Sequence, residues 1–161
     1  MLSLAPALTR LWPRRGRPPL PKVPKGLDVD EFLRLARLSF VRLQAAWDDA
    51  DLPTLERLTT GPLLADLREQ LAARGTGLNR TDVLHLQARL LAFEELAGAF
   101  VASVEFSGLI REGADARAAD FRELWMLTRL KPEGALQGPG RAHGSSAGTE
   151  AWQLARVQAL A

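Results

Sequence analysis

The chain has 161 residues, 47% of them hydrophobic and 25% charged, which supports one folded domain and excludes global disorder. It contains no cysteine, so disulfides, thiolate metal sites and a cysteine nucleophile are excluded. The formal net charge of +2 is unevenly spread: residues 1–27 hold Arg10, Arg14, Arg15, Arg17, Lys22 and Lys25 and no acid, while the rest sets 15 bases against 19 acids.

A basic tail on a mildly acidic domain suits an anionic partner, either a membrane surface or nucleic acid; a solvated linker has the same composition. Arginine outnumbers lysine 18 to 3, and with abundant Ala and Leu this marks a GC-rich, bacterial type of genome. No uninterrupted apolar run approaches the roughly 20 residues that span a bilayer. The start, "MLSLAPALTRLWPRR", carries its charges after its apolar part, the reverse of a secretory signal. An acid-free, Arg-bearing start is also the composition of an organellar transit peptide.

Within the tail, Leu4, Leu8, Leu11 and Trp12 share a helical face, with Arg10, Arg14, Arg15 and Arg17 beside and after it. A short amphipathic segment of this kind can lie on anionic lipid; a frayed terminus is the alternative. Residues 13–26, "PRRGRPPLPKVPKG", hold five prolines and no periodicity, the signature of a stiff, extended linker. The organisation is therefore a basic, Pro-rich tail over residues 1–26 and a domain over residues 27–161.

Asp28 is the expected N-cap of a long helix, with Glu31 at capping-box spacing. Phe32, Leu35, Ala36, Phe40, Leu43, Ala46 and Trp47 recur on one face, and Arg34, Arg37, Gln44 and Asp48 are assigned to the other. Asp51 and Pro53 start a short helix, Gly61-Pro62 interrupts the path, and Leu64, Leu67 and Leu71 form a third helical stripe ending at Gly75 and Gly77. The period then changes to two. Leu84, Leu86, Ala88, Leu90 and Ala92 alternate with polar residues in a first strand; Phe100, Ala102, Val104 and Phe106 mark a second. "FRELWMLTRL" (121–130) and "AWQLARVQAL" (151–160) supply a third and a fourth. The connections at 94–98 and 111–119 have hairpin lengths, whereas 131–149 is long and Gly-rich.

Helices followed by four antiparallel strands make an α+β fold, with N-terminal helices packed on a curved four-stranded sheet. A curved sheet wrapped on a long amphipathic helix leaves a cone-shaped apolar cavity, walled by Phe40, Leu43, Trp47, Phe106 and Trp125.

"DVDEFLRLARLSFVRLQAAWDDADLPTLERLTTGPLLADL", followed in order by "NRTDVLHLQARLL", "FVASVEFSGLIRE", "FRELWMLTR" and "WQLARVQ", resembles the Tim44-like domain family over roughly residues 27–160. The resemblance implies an NTF2-like (cystatin-like) cone with a large apolar pocket, lined by Phe40, Leu43, Trp47, Leu67, Leu71, Leu86, Val104, Phe106, Trp125 and Leu127. It also implies a non-enzymatic role at the inner membrane, docking peripherally to anionic lipid or to a membrane-protein assembly, without a cofactor. Bacterial members commonly carry a hydrophobic N-terminal segment before the linker. This chain has the linker alone, which leaves attachment to Leu4, Leu8, Leu11, Trp12 and the arginines or to a missing upstream segment. A mitochondrial ribosomal relative keeps RNA or ribosome contact open as a lesser alternative; nothing in the domain points to DNA.

Candidate chemistry is sparse. Asp48, Asp49 and Asp51 lack the glycine and bidentate glutamate of a calcium loop, so Asp51 is read as a helix cap and the other two as solvated turn residues. His85 falls on the polar side of its strand and His143 in a Gly/Ser loop, too far apart in sequence to suggest a metal pair. Glu123 alternates in phase with Phe121 and Trp125, which would let it serve a pocket isomerase or dehydratase; a place at the pocket rim is the simpler expectation. Glu105, out of phase with Phe106, is expected to face outward.

Overall fold

Asp28 begins the first helix, its carboxylate accepting the backbone N–H of Glu31 at 3.1 Å. In the computed structural model, which describes residues 20–75, 80–131 and 152–160, three helices precede four strands. The tail residues expected to touch a membrane, Gly77, His143 and nearly all of the long 131–149 connection lie outside the described residues. Helix α1 spans Val29–Asp48, α2 Leu52–Leu58 and α3 Gly61–Arg74. Glu31 does not turn back to complete a capping box; its carboxylate pairs with Arg34 at 2.6 Å.

The acidic stretch after α1 is a chain reversal. Asp51 N–H donates to the Ala46 carbonyl at 2.8 Å and Ala50 N–H to the Trp47 carbonyl at 3.2 Å, the two bonds of a Schellman motif. Ala50 occupies its left-handed position with φ of 52°, where glycine is the usual residue. Asp51 then caps α2 as expected, accepting from the Thr54 N–H at 3.2 Å and hydroxyl at 2.6 Å; those bonds hold its carboxyl below the usual range. Asp48 departs from the expectation of a solvated turn. Half-buried, it accepts from the Thr81 N–H at 2.6 Å and hydroxyl at 3.2 Å, tying the end of α1 to the start of the sheet. Arg74, at the end of α3, compensates the acids there. Its guanidinium lies 5.3 Å from the Trp47 ring centre and donates to the carbonyls of Trp47 (2.8 Å) and Asp48 (3.3 Å).

The sheet is open and fully antiparallel in the order β1-β2-β3-β4, with β1 Thr81–Glu95, β2 Ala99–Glu112, β3 Ala119–Leu130 and β4 Gln153–Ala159. It is the α+β, NTF2-like arrangement implied above. The alternation foreseen for β1 holds only in its middle. Register shifts between Val83 and His85 and between Leu90 and Ala92 reverse the phase twice. Leu84 is consequently exposed, and Val83 and Phe93, not Leu84 and Ala92, pack against the core.

At the first irregularity Gly108 of β2 has φ of 157°, and a Cβ there would collide with the backbone carbonyl oxygen of His85. β2 and β3 keep an unbroken register that pairs Phe106 with Glu123 and Val104 with Trp125. One sheet face packs on the helices; Phe40, Leu55, Leu67, Val104, Phe106, Trp125 and Leu154 are sealed between the layers. The loop between α2 and α3 joins the other edge. Thr59 bridges Leu154 of β4, and Thr60 N–H donates to the Leu154 carbonyl at 2.9 Å.

Two backbone positions give opposite outcomes in urea denaturation. Gly108→Ala should lose about 2–4 kcal/mol of stability, since the colliding atom is main chain and cannot swing away. Ala50→Gly should gain about 0.5–1 kcal/mol by relieving the left-handed strain.

Candidate functional site

Alternation along β3 brings Phe121, Glu123, Trp125 and Leu127 to the inner face. From α1, the Phe40 ring covers this row: its centre lies 4.9 Å from Phe106, 5.5 Å from Phe121 and 4.8 Å from Trp125. Glu123, flanked in the strand by Phe121 and Trp125, is only 1% exposed. It is no rim residue. One carboxylate oxygen, Oε2, accepts the indole N–H of Trp125 at 2.8 Å, whereas Oε1 has no protein partner. Burial pushes its pKa up to about 7 and the charge of Glu112 adds to the rise; the Trp125 bond opposes it.

A second polar side chain was assigned above to the wrong helix face. Gln44 is 2% exposed, and neither its Oε1 nor its Nε2 has a protein partner. The signal was present in the sequence: four residues after Phe40 and three before Trp47, position 44 belongs to the apolar stripe. Three orphan polar atoms inside one core leave hydrogen-bonding capacity unused, the kind of place where a protein interior holds water.

The ten residues expected to line a pocket are placed as follows. Phe40, Leu43, Trp47, Leu67, Val104, Phe106, Trp125 and Leu127 are buried in the core. Leu71 and Leu86 are half-buried and packed against it. Two cavities open over the sheet. One, of about 640 Å³, is bordered by His85, Ser107, Asp120, Phe121 and Arg122; the other, of about 450 Å³, by Arg37, Leu86, Gln87, Arg89 and Glu105. Leu86 is the one member of the expected set on either border.

Glu105 faces away from the helices, as expected, yet is only 9% exposed because two arginines close over it. Arg122 donates to it at 2.7 Å and Arg89 at 3.3 Å. At the far end of the same face, Asp82 bonds Arg111 at 3.3 Å and Arg80 at 3.4 Å, which lowers its pKa. His85 is exposed. Among the described residues no three His, Asp or Glu side chains converge as metal ligands.

These features define a helix-on-sheet α+β domain with a filled aromatic interior and an arginine-rich outer sheet face. A family model described as the Tim44-like domain matches residues 20–159, and the chain belongs to that family. Membership gives it, at a general level, a role in membrane-associated binding within a family that is generally non-catalytic. A search among curated proteins finds no match.

The raised pKa of Glu123 has a definite sign in folding. The folded state holds this proton more tightly than the unfolded chain, so the contribution is fully present below about 4.5 and is lost as pH rises through about 7. Between pH 4.5 and 8 the wild type should lose on the order of 3 kcal/mol relative to Glu123→Gln, read from urea denaturation of both proteins across that range.

Proposed function

We propose that this domain is a non-enzymatic, peripheral binding module of the bacterial inner membrane, held on anionic lipid or on a membrane-protein assembly. The observation that carries the reading is the match to the Tim44-like domain over nearly the whole described chain. The charge distribution supports it. Six cations and no acid precede Asp28, and each lysine or arginine near an anionic leaflet contributes about 1 kcal/mol of attraction. No helix among the described residues is long and apolar enough to cross a membrane. Leu4, Leu8, Leu11 and Trp12 would add apolar contact to the pull of Arg10, Arg14, Arg15 and Arg17.

An acyl chain or partner helix received by the ten apolar residues of the expected pocket would have to part α1 from β2 and β3, since most of those side chains are already buried against one another. Surface contact requires no such rearrangement and is the reading favoured by the packing. A second reading, a pocket enzyme of the same fold, rests on Glu123, a buried carboxyl that titrates near neutrality. Turnover lost in a folded Glu123→Gln variant would favour that reading.

Vesicle sedimentation tests the membrane module directly. The full chain should bind vesicles containing anionic lipid, bind neutral vesicles poorly and dissociate as salt is raised. Replacing Arg10, Arg14, Arg15 and Arg17 by Gln should weaken binding by at least roughly a hundredfold. Purification from native membranes that recovers the chain with neither lipid nor membrane protein would sink the reading.

A further inference from the structure

The seam between α1 and the sheet contains an ionisable group that its surroundings serve badly. Glu123 lies on the inner face of β3 between Phe121 and Trp125, and its cross-strand partners are Phe106 of β2 and Ala159 of β4. The Phe40 ring of α1 covers this row. One carboxylate oxygen takes the Trp125 N–H; the other is buried with no protein partner. One helical turn beyond Phe40, Gln44 brings a buried amide whose oxygen and nitrogen are also unpartnered. Hydrogen bonding is therefore poorly satisfied around Phe40, where α1 meets the middle of the sheet.

Among the described residues, those packed in this layer offer an ionised Glu123 no cation. Phe40, Phe106, Phe121 and Trp125 carry no charge, nor do Leu55 of α2 and Leu67 of α3, which are sealed in the same core. The charged groups at the margins of the seam are engaged elsewhere. Asp48 bonds Thr81, Arg74 bonds the Trp47 and Asp48 carbonyls, and Arg37 borders the smaller cavity with Arg89 and Glu105. Glu112, at the end of β2, adds repulsion. Ionisation thus places a charge in an aromatic layer, and burial raises the carboxyl to about 7, so the proton is exchanged near neutrality.

We propose that Glu123 is a proton-operated latch on this seam: protonated, it lets α1 lie closed on the sheet, and ionised, it drives α1 away from β2 and β3 in a minor population while the strands keep their pairing. The β2–β3 register is unbroken and is held by main-chain bonds that do not involve α1. The middle of α1, by contrast, is held by the packing of Phe40 on three rings. Water entering the parted seam solvates Glu123 and Gln44 together, so both orphan groups gain from one movement. The parted form exposes Phe40, Phe106 and Trp125, the apolar surface that an acyl chain or partner helix would need. The latch itself requires neither ligand nor membrane.

The chain has no cysteine, so a single introduced thiol reports on the seam. Ala46→Cys on α1 and Ala102→Cys on β2 replace buried side chains on its helix and strand sides. Each full-length variant is alkylated with iodoacetamide at pH 5.5 to 8. The rate is divided by that of the same variant unfolded in urea at the same pH, which cancels the ionisation of the thiol itself. The quotient measures the open fraction. It should rise roughly 25-fold over this range, for a carboxyl that titrates near 4.5 when open and about 7 when closed. Added Glu123→Gln should make it flat, and Glu123→Leu, which removes the same proton, gives the same test where Glu123→Gln does not fold. The urea dependence of the quotient should be weaker than that of global unfolding, as for a partial opening. A flat quotient with Glu123 present, a rise that persists without it, or a urea dependence equal to that of global unfolding overturns the proposal.

Discussion

Phe40 reaches from the middle of α1 onto three aromatic rings contributed by two adjacent strands, Phe106 of β2 and Phe121 and Trp125 of β3. Those contacts join the helix layer to the centre of the sheet, and the other tertiary ties build outward from them. Toward its start α1 is held by Phe32 against Phe93 and Trp152; toward its end it is held by Asp48 on Thr81 and by Arg74 over Trp47. The helix is thus fixed at three levels along the sheet, by aromatic packing, aromatic packing again and then charge-assisted hydrogen bonds. The last of these settles the meaning of the acids after Trp47. They end one helix, start another and anchor a strand.

Much of this was legible in the sequence because one face of each element is buried and the apolar pattern has to match it. The helical repeat from Phe32 to Trp47 survives except at Leu35, which does not join the core, and at Gln44, which does; the alternation from Ala102 to Phe106 and from Phe121 to Leu127 survives because β2 and β3 keep one register throughout. β1 was less legible. An inserted residue leaves no mark in composition, yet each register shift swaps the two faces, so Leu84 and Ala92 were assigned to the side that Val83 and Phe93 occupy. The candidate polar site was half legible. Phase alone turned Glu123 inward, but the depth of its burial depends on Phe40, some eighty positions away in the chain, which no local pattern records. Gln44 was misplaced for a different reason: its polarity was weighed above its position in the stripe.

Glu123 and Gln44 weaken the core that contains them. A carboxyl forced to hold its proton near neutrality and an amide with no partner each cost free energy that a leucine in the same place would not. Trp125 offsets part of that cost by donating to the carboxylate, and the strand geometry makes the offset possible, because side chains two apart on one face are neighbours. The same arrangement limits what the group can do. With Phe40, Phe106 and Trp125 fully buried around it, substrate could reach Glu123 only through the separation of α1 from the sheet.

With the interior closed, the surface is divided by charge type. On the outer sheet face the arginines are largely committed: Arg89 and Arg122 to Glu105, Arg111 to Asp82. Such pairs are short-range and self-satisfied, so they give the face little reach toward a distant anion. The six cations before Asp28 have no acid in their own segment, and their field extends about a Debye length from wherever that segment lies.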